Sequence, residues 1–344
     1  MKVLDLSAGQ RAAILYNPVA RTLSRHPELI RGAAKALEQQ GFEVRVVPTT
    51  APGSATEQVK EQIAEGCTLI VAAGGDGTIN EVADGMLYTG VPLAIVPGGT
   101  ANVLARELRL PIHAERAAAA ITKLRAYRIT TGSLRTANTS HRTFLCMAGI
   151  GLDADVISRL NQRWKARAGK FAYWTCGFSQ VLRTLPEFEV VVDEKEYRAS
   201  FALVSRVRNY GGDLEIARGA SLLRDDFEIV LFRGAHAIQY IPYLVGVALR
   251  QVNRMRGVRV LQGKAVSCQA PRGQRVYMQV DGELVGQVPA TIDTMPGALT
   301  LLAPAEFAAR EQALAPSNRA QRAPDALCAW LDRAQRAPGA LCAW

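Results

Sequence analysis

The stretch GGDGTINE at residues 74–81 decides how the first third of the chain is interpreted. It follows an apolar run at residues 68–72 that is typical of a buried strand, and it leads into a helical pattern at residues 79–87. Glycines at the end of a strand let backbone N–H groups approach phosphate oxygens, and the start of the following helix adds a dipole that favours an anion. Thr78 and Asn80 can donate hydrogen bonds to the same oxygens. The stretch therefore predicts a phosphate site, and a plain strand-to-helix turn is the alternative interpretation.

A second glycine loop, PGGTAN at residues 97–102, follows the next apolar run at residues 93–96 and also opens a helix. Neighbouring strand ends in an open parallel sheet form one crevice, in which ligands bind. The two loops are therefore expected to hold the phosphates and the ribose or base of a nucleotide. Asp76 cannot bind a bare phosphate, so its carboxylate is expected to organise the loop or to face a magnesium ion. The chain contains neither a Walker A motif nor the dinucleotide-binding glycine fingerprint.

Short apolar runs alternate with helical patterns up to residue 124, which predicts a parallel sheet covered by helices on both faces. The predicted strands are residues 12–16, 44–47, 68–72 and 93–96, and the predicted helices are residues 27–40, 55–65, 79–87, 101–108 and 112–124. Residues 1–127 are therefore predicted to form a three-layer α/β nucleotide-binding domain.

Residues 128–303 carry many short β-rich runs separated by turn residues, which predicts an antiparallel β-sandwich domain. The runs are residues 143–147, 188–193, 201–207, 227–232, 258–261, 276–280 and 298–302, and two helical inserts are expected at residues 154–185 and 237–255. Residues 304–344 are predicted to be a disordered tail. In it the twelve-residue segment 319–330 recurs at residues 333–344 with one difference, Asp325 against Gly339.

Composition excludes several classes of function. The six cysteines form no CxxC pair and the four histidines no HExxH pattern, which disfavours zinc chemistry and a disulfide framework. No signal peptide and no run of about 18 apolar residues is present, so a cytoplasmic location with peripheral membrane contact is expected. The net charge of +10 indicates an anionic partner, while an aromatic content of 6% argues against a nucleic-acid binder.

The two glycine loops, continued as GGDGTINEV and PGGTANVLARELRLP, resemble the diacylglycerol kinase catalytic-domain family. This family includes soluble bacterial lipid kinases and is related to sphingosine and ceramide kinases. Further landmarks lie at residues 17–18, 148–154, 210–212 and 280–283, and the resemblance spans about residues 10 to 303. It implies an α/β domain, a β-sandwich domain and a cleft between them, in which ATP donates its γ-phosphoryl group to a lipid hydroxyl. Diacylglycerol is the first candidate for that lipid.

The resemblance also implies roles for individual residues. The implied nucleotide contacts are Asn17, Pro18, Thr49, Gly74, Gly75, Asp76, Gly77, Thr78, Ile79, Asn80, Gly99 and Thr100. Asp281 and Glu283 would lie at the reacting hydroxyl, where a carboxylate can accept its proton. Local sequence alone favours a hairpin turn at Asp281-Gly282, and which carboxylate takes the proton stays open.

A structural magnesium site is implied on the second domain as well. The best match is the side chain of Asp225 with the backbone carbonyls of Leu222 and Phe227. The local sequence departs from the family pattern, because Arg218 follows Ala217 where the family has proline, and Asp226 stands where it has glycine.

Cations and aromatic residues alternate at residues 159–174, and more cations lie at residues 250–259. This composition suits the surface of an anionic membrane, and a solvated helix face is the alternative. Two other functions remain as alternatives to a lipid kinase: an NAD kinase-like enzyme, whose family shares a GGDG loop, and a nucleotide-binding protein without catalytic activity. The identity of the lipid and the oligomeric state, a homo-oligomer included, are left open.

Overall fold

The computed structural model describes residues 10–137, 141–152, 154, 185–211, 214–234, 242–243, 246–247, 251–252 and 255–313. The helices in this part are α1 Arg21–Arg25, α2 Glu28–Glu38, α3 Ser54–Ala64, α4 Asp76–Gly85, α5 Val103–Glu107, α6 Ala114–Ala120 and α7 Glu306–Ala313.

The strands of the first half are β1 Arg11–Tyr16, β2 Glu43–Pro48, β3 Leu69–Gly74, β4 Pro92–Pro97, β5 Arg125–Thr136, β6 Arg142–Phe144 and β7 Met147–Gly151. Those of the second half are β8 Phe188–Val192, β9 Lys195–Ala199, β10 Phe201–Ser205, β11 Asn209–Tyr210, β12 Leu214–Glu215, β13 Phe227–Phe232, β14 Val258–Gly263, β15 Ala265–Gln269, β16 Tyr277–Val280, β17 Glu283–Gln287 and β18 Ala290–Ala303.

The first four strands form a parallel sheet in the order β2-β1-β3-β4. Strands β3 and β4 are buried along their whole length, because helices cover both faces. On one face Ile70 and Ile95 pack with Val59 of α3 and Ile79 of α4. On the other, the apolar side chains of the same strands pack against α2 and α6. The predicted three-layer α/β arrangement is confirmed.

The parallel sheet continues into an antiparallel half through β18, which pairs with β4 at one end and with β15 and β5 along its length. A second, six-stranded sheet in the order β14-β13-β10-β7-β16-β17 packs on this half. Apolar side chains fill the space between the sheets, and the rings of Phe144 and Phe227 stack there with centroids 5.7 Å apart. The predicted antiparallel β-sandwich is confirmed.

Strand β5 differs from the expectation of a domain boundary after residue 127. It begins at Arg125, and with β18 it belongs to the same ten-stranded sheet as the parallel strands. Its sequence shows no clear alternation of apolar and polar residues. At Gly132 only glycine fits, because a Cβ would lie 2.1 Å from a carbon of the Phe144 ring. The division at residue 127 stays a prediction, while the sheet runs across it.

Helix α7 lies where the sequence predicted the start of the tail. Phe307 is 2% exposed and packs edge-on against Tyr127, with ring centroids 5.4 Å apart. Glu311 is buried and its Oε1 accepts a hydrogen bond from Nη2 of Arg208 at 2.8 Å, and the same guanidinium binds Glu107 of α5. Docking of α7 thus depends on partners that lie 103 residues or more away in sequence, which a local pattern does not show.

Several predicted features lie outside the described residues. They are the repeat at residues 319–344, the basic and aromatic stretch at residues 159–174 and most of the two helical inserts. Within the described part of the chain, no helix has the length and apolar character needed to cross a bilayer.

Replacing Glu311 by Gln should lower the free energy of unfolding by about 3 kcal/mol, because Arg208 would lose the charge of a buried partner. Glu306→Gln, an exposed position on the same helix, is the matched control and should change stability by no more than about 0.5 kcal/mol. Urea unfolding measures both. Equal stability of the two variants would show that α7 is not held by this ion pair.

Candidate active site

The two glycine loops touch through their backbones. Strands β3 and β4 end side by side, and the N–H of Gly98 donates to the carbonyl of Gly74 at 2.8 Å. A Cβ on Gly99 would lie 2.5 Å from the Cα of Gly75, a distance that real side chains do not adopt. Glycine at residue 99 is therefore required for the loops to meet. The two loops therefore lie side by side where the sequence predicts a crevice, and backbone atoms form the contact between them.

Asp76 organises this crevice. Its Oδ1 accepts the N–H of Leu104 at 3.3 Å, at the start of α5, so the carboxylate of the first loop holds the helix that follows the second. Burial raises the pKa of Asp76, and hydrogen bonds from the backbone of Leu104 and Val103 act in the opposite direction. The geometry matches the loop-organising role that was one of the two expectations for this residue.

Asn102 shapes the second loop, although the sequence did not single it out. Its φ is +48°, its Oδ1 accepts the N–H of Gly99 at 2.9 Å, and its Nδ2 donates to the Gly99 carbonyl at 3.0 Å. Asparagine tolerates this left-handed conformation better than most residues. Its position could have indicated this role, because Asn102 directly precedes a helix and follows Gly99 by three residues.

Asn17 lies at the same end of the sheet, directly after β1. Its N–H donates to the carbonyl of Ala73 at 3.1 Å, and its Nδ2 donates to Oγ1 of Thr78 at 3.4 Å. The N–H of Thr49 donates to the carbonyl of Tyr16 at 2.8 Å, so Thr49 also lies near this edge. The expected nucleotide contacts Asn17, Thr49 and Thr78 thus follow three neighbouring strands, while Pro18 and Thr100 are exposed beside them.

Two residues of the first loop face away from the crevice. Ile79 is 1% exposed and packs in the hydrophobic core, and its N–H donates to the carbonyl of Gly75 at 3.1 Å within α4. Asn80 is 3% exposed and its Nδ2 donates to the carbonyl of Thr143 in β6 at 2.9 Å. Asn80 therefore ties α4 to the second domain.

The hairpin between β16 and β17 brings a carboxylate to the start of β7. Asp281 and Gly282 form a two-residue turn with φ of +47° and +86°, so the favoured Asp-Gly turn is present. The carboxylate of Asp281 also accepts three backbone N–H groups, from Leu145 at 2.9 Å, Cys146 at 3.0 Å and Met147 at 2.8 Å. Asp281 thus forms the hairpin turn and also has a carboxylate that the backbone holds in a fixed position.

Burial, with a smaller effect of the nearby charge of Asp76, raises the pKa of Asp281 to about 7. The three N–H donors lower the pKa but do not offset the loss of hydration. Two carboxylates from different domains therefore lie close enough for their charges to interact. A group that titrates near neutral pH can take up or release a proton under physiological conditions.

Glu283 reaches the phosphate loop itself. A Cβ on Gly77 would lie 2.6 Å from Oε1 of Glu283, so this carboxylate lies against the first turn of α4. Its Oε2 accepts a hydrogen bond from Nη2 of Arg142 at 2.6 Å. Arg142, which the sequence analysis missed, therefore adds a positive charge beside the loops. Arg142 is distant from the glycine loops in sequence, so no local pattern indicated this contact.

Two of the three residues of the implied magnesium site, Leu222 and Asp225, share a partner within the chain. The carbonyl of Leu222 accepts the N–H of Thr130 at 3.0 Å, and Oδ1 of Asp225 accepts the hydroxyl of Thr130 at 2.7 Å. Phe227 is fully buried at the start of β13. In the described part of the chain, no group of three or more acidic, histidine or cysteine side chains is arranged to hold a metal ion.

Two family models match the chain. The diacylglycerol kinase catalytic domain matches residues 11–134, and the YegS C-terminal NAD kinase beta sandwich-like domain matches residues 146–303. Residues 11–134 therefore belong to the diacylglycerol kinase catalytic-domain family. This match and the curated relatives of the chain support a lipid kinase.

Two curated relatives carry the name diacylglycerol kinase. The one from Bacillus subtilis (strain 168) is 28% identical over 288 residues, which are 81% of this chain and 92% of that protein. The one from Mycobacterium tuberculosis is 28% identical over 316 residues, with 87% and 99% covered. Two crystal structures of proteins from Bacillus anthracis str. Sterne have the same fold. Their TM-scores are 0.74 and 0.67 at 22% and 23% identity, and they cover 89% and 87% of this chain and 99% of each neighbour.

Gly75→Ala should keep the fold and weaken binding of a nucleoside triphosphate. The nearest atom to the new Cβ, the Cα of Gly99, would be at 3.5 Å, an ordinary contact, but the methyl group would lie on the floor that phosphate must approach. Gly32→Ala on α2 is the control, because its Cβ would meet only the flexible side chain of Glu115, with Oε1 at 2.8 Å. Calorimetry with ATP measures both affinities, and unchanged affinity in folded Gly75→Ala would move the phosphate site elsewhere.

Proposed function

We propose that this protein is an ATP- and magnesium-dependent kinase that transfers the γ-phosphoryl group to the hydroxyl of a lipid, with diacylglycerol as the first candidate. One observation carries the proposal. A backbone cradle at the ends of β3 and β4 faces carboxylates from the β16–β17 hairpin, so that Glu283 lies against Gly77 of the cradle. This arrangement suits phosphoryl transfer, because that reaction depends on positioning the phosphates against an acceptor whose proton can be removed.

In the proposed reaction the lipid hydroxyl oxygen attacks the γ-phosphorus, and the bond from that phosphorus to the β–γ bridging oxygen breaks. ADP leaves with the bond electrons, and the hydroxyl proton passes to a carboxylate. Asp281 suits this last role, because Oδ1 accepts two N–H groups and Oδ2 accepts only one, which leaves a lone pair on Oδ2. A pKa of about 7 is also close to the value at which a general base is most effective.

The remaining charged groups would neutralise the phosphates and orient the nucleotide. Magnesium bound with ATP would offset the negative charge of the phosphates, and Asp76 of the first glycine loop is the carboxylate that could face it. Arg142 would add a second positive charge at the first turn of α4, and Glu283 holds its guanidinium in place. Asn17 and Thr78 would contact the nucleotide from the edge of the sheet.

Transfer of label from γ-labelled ATP tests the proposal. The purified protein is incubated with magnesium and a panel of lipid alcohols in mixed micelles, and in parallel with NAD. Label should appear on a lipid. Label on NAD alone would support the NAD kinase-like alternative, and ATP binding without any transfer would support a nucleotide-binding protein without catalysis.

We also propose that the protein meets its lipid at an anionic membrane surface. The net charge of +10 supports this, because a basic protein is attracted to anionic lipid. Binding to vesicles that contain phosphatidylglycerol should weaken as salt rises, since the screening length falls from about 10 Å at 0.1 M to about 3 Å at 1 M. Vesicles of phosphatidylcholine alone are the control, and equal binding to both at low salt would contradict an electrostatic contact.

Asp281→Asn should lower kcat by roughly 10²–10⁴, because an amide cannot accept the proton. In the unchanged protein a raised pKa means that Asp281 is protonated below about pH 7, so activity should rise with pH through about 7 and then level off. Asp281→Asn should remove this dependence from its residual activity. Stopped assays across pH with saturating lipid measure both effects.

Glu283→Gln is the matched control for this experiment. Its side chain is 50% exposed and its ion pair with Arg142 is worth about 1 kcal/mol or less, so kcat should fall less than about tenfold. A larger loss in Glu283→Gln than in Asp281→Asn would make Glu283 the base. Near-normal kcat in both would remove the hairpin from the mechanism.

A further inference from the structure

A buried guanidinium lies in the loop for which a structural metal was expected. Arg206 follows β10 and is 0% exposed. Its Nε donates to the carbonyl of Thr130 at 3.0 Å, and its Nη2 donates to the carbonyls of Leu222 at 3.1 Å and Arg224 at 2.6 Å. Its Nη1 donates to the carbonyl of Asp226. Four backbone carbonyls therefore converge on one positive charge.

These contacts use the oxygens that a metal ion would need. The carbonyl of Leu222 has two lone pairs, and it accepts both Nη2 of Arg206 and the N–H of Thr130. The Oδ1 of Asp225 is bound to the hydroxyl of Thr130, and the ring of Phe227 lies 5.8 Å from the guanidinium carbon. Two of the expected magnesium ligands, the carbonyl of Leu222 and Oδ1 of Asp225, therefore already have partners within the chain.

The charge of Arg206 opposes a second cation at the same place. An arginine guanidinium keeps its positive charge in proteins, and the charges of Asp226 and Asp225 interact with that of Arg206. A divalent ion bound to the carbonyl of Leu222 would lie beside this positive charge, where low local dielectric strengthens the repulsion. The acidic pair at residues 225–226 is instead balanced from within the chain.

We propose that the guanidinium of Arg206 takes the place of the structural magnesium ion in the loop at residues 222–227. The loop is then folded without a metal, and any magnesium requirement of the enzyme belongs to the nucleotide. The five N–H donors of arginine suit this function, because they satisfy several carbonyls in fixed directions while supplying the charge.

The first test uses the unaltered full-length protein without nucleotide. Its melting temperature is measured in EDTA and in millimolar magnesium, and again for Asp225→Asn. A metal present at about 100 times its dissociation constant would raise the melting temperature by several degrees. No rise, or a rise that Asp225→Asn leaves unchanged, supports the proposal. A rise that Asp225→Asn removes puts a metal on this loop and overturns it.

The second test removes the guanidinium. Arg206→Asn leaves the three loop carbonyls beside Asp225 without their donor, so the variant should melt several degrees lower and should now gain stability from magnesium. Arg128→Asn is the matched control, because its exposed guanidinium also donates to a carbonyl, that of Gly297 at 2.7 Å, and lies outside the loop. It should not respond to magnesium.

Folded Arg206→Asn that melts like the unaltered protein, or that does not respond to magnesium, overturns the claim that guanidinium and metal share one place. If Arg206→Asn does not fold, the comparison of EDTA with magnesium on the unaltered protein and on Asp225→Asn decides the question. These measurements use no substrate, so they remain informative if the protein proves not to transfer phosphate to a lipid.

Discussion

The pairing of β18 with strands of both domains fixes where the phosphate loops lie relative to the Asp281 hairpin. One end of β18 pairs with β4, which leads into the second glycine loop, and its length pairs with β5 and β15 of the sandwich. The six-stranded sheet that carries Asp281 packs on this same antiparallel half. Because hydrogen-bonded strands keep a spacing of about 4.8 Å, the ten-stranded sheet fixes the glycine loops relative to the half on which the Asp281 sheet packs. A hydrogen bond from Asn80 in α4 to the carbonyl of Thr143 in β6 adds a second connection, directly beside the first glycine loop.

The crevice gathers charges that are costly to bury singly. Asp76 and Asp281 are both removed from water, and burial raises the pKa of each. The backbone N–H groups of residues 145–147 offset part of that cost at Asp281. Arg142 adds a positive charge through its contact with Glu283. Such an arrangement favours an occupant that brings phosphate oxygens and a cation together, because each added charge then finds a partner of opposite sign.

Much of the fold was predictable because its first third is local in sequence. The apolar runs that became β1 to β4 are short, continuous and bounded by turns, and the loops after β3 and β4 carry glycines for a steric reason that Gly99 illustrates. Strand β5 and helix α7 were missed, since their partners lie far away in the chain: β5 pairs with β18, and α7 packs on Tyr127 and Arg208. The same limit applies to the site. Residues inside the glycine loops could be identified from their spacing, whereas Arg142 and Arg206 acquire their roles only through contacts that folding creates.

Arg206 connects the loop of the second domain to the proposed base. Its guanidinium gathers the carbonyls at residues 222, 224 and 226, while its own N–H donates to the carbonyl of Cys146 at 2.8 Å. The N–H of Cys146 in turn donates to the carboxylate of Asp281 at 3.0 Å. A cation that orders the loop therefore also fixes the backbone segment that holds the carboxylate. A tethered guanidinium does this at any magnesium concentration, so the geometry around Asp281 need not vary with the free metal ion. Magnesium would then influence the reaction through the nucleotide alone. Arg206 would order the loop, and the metal ion would serve only the phosphates.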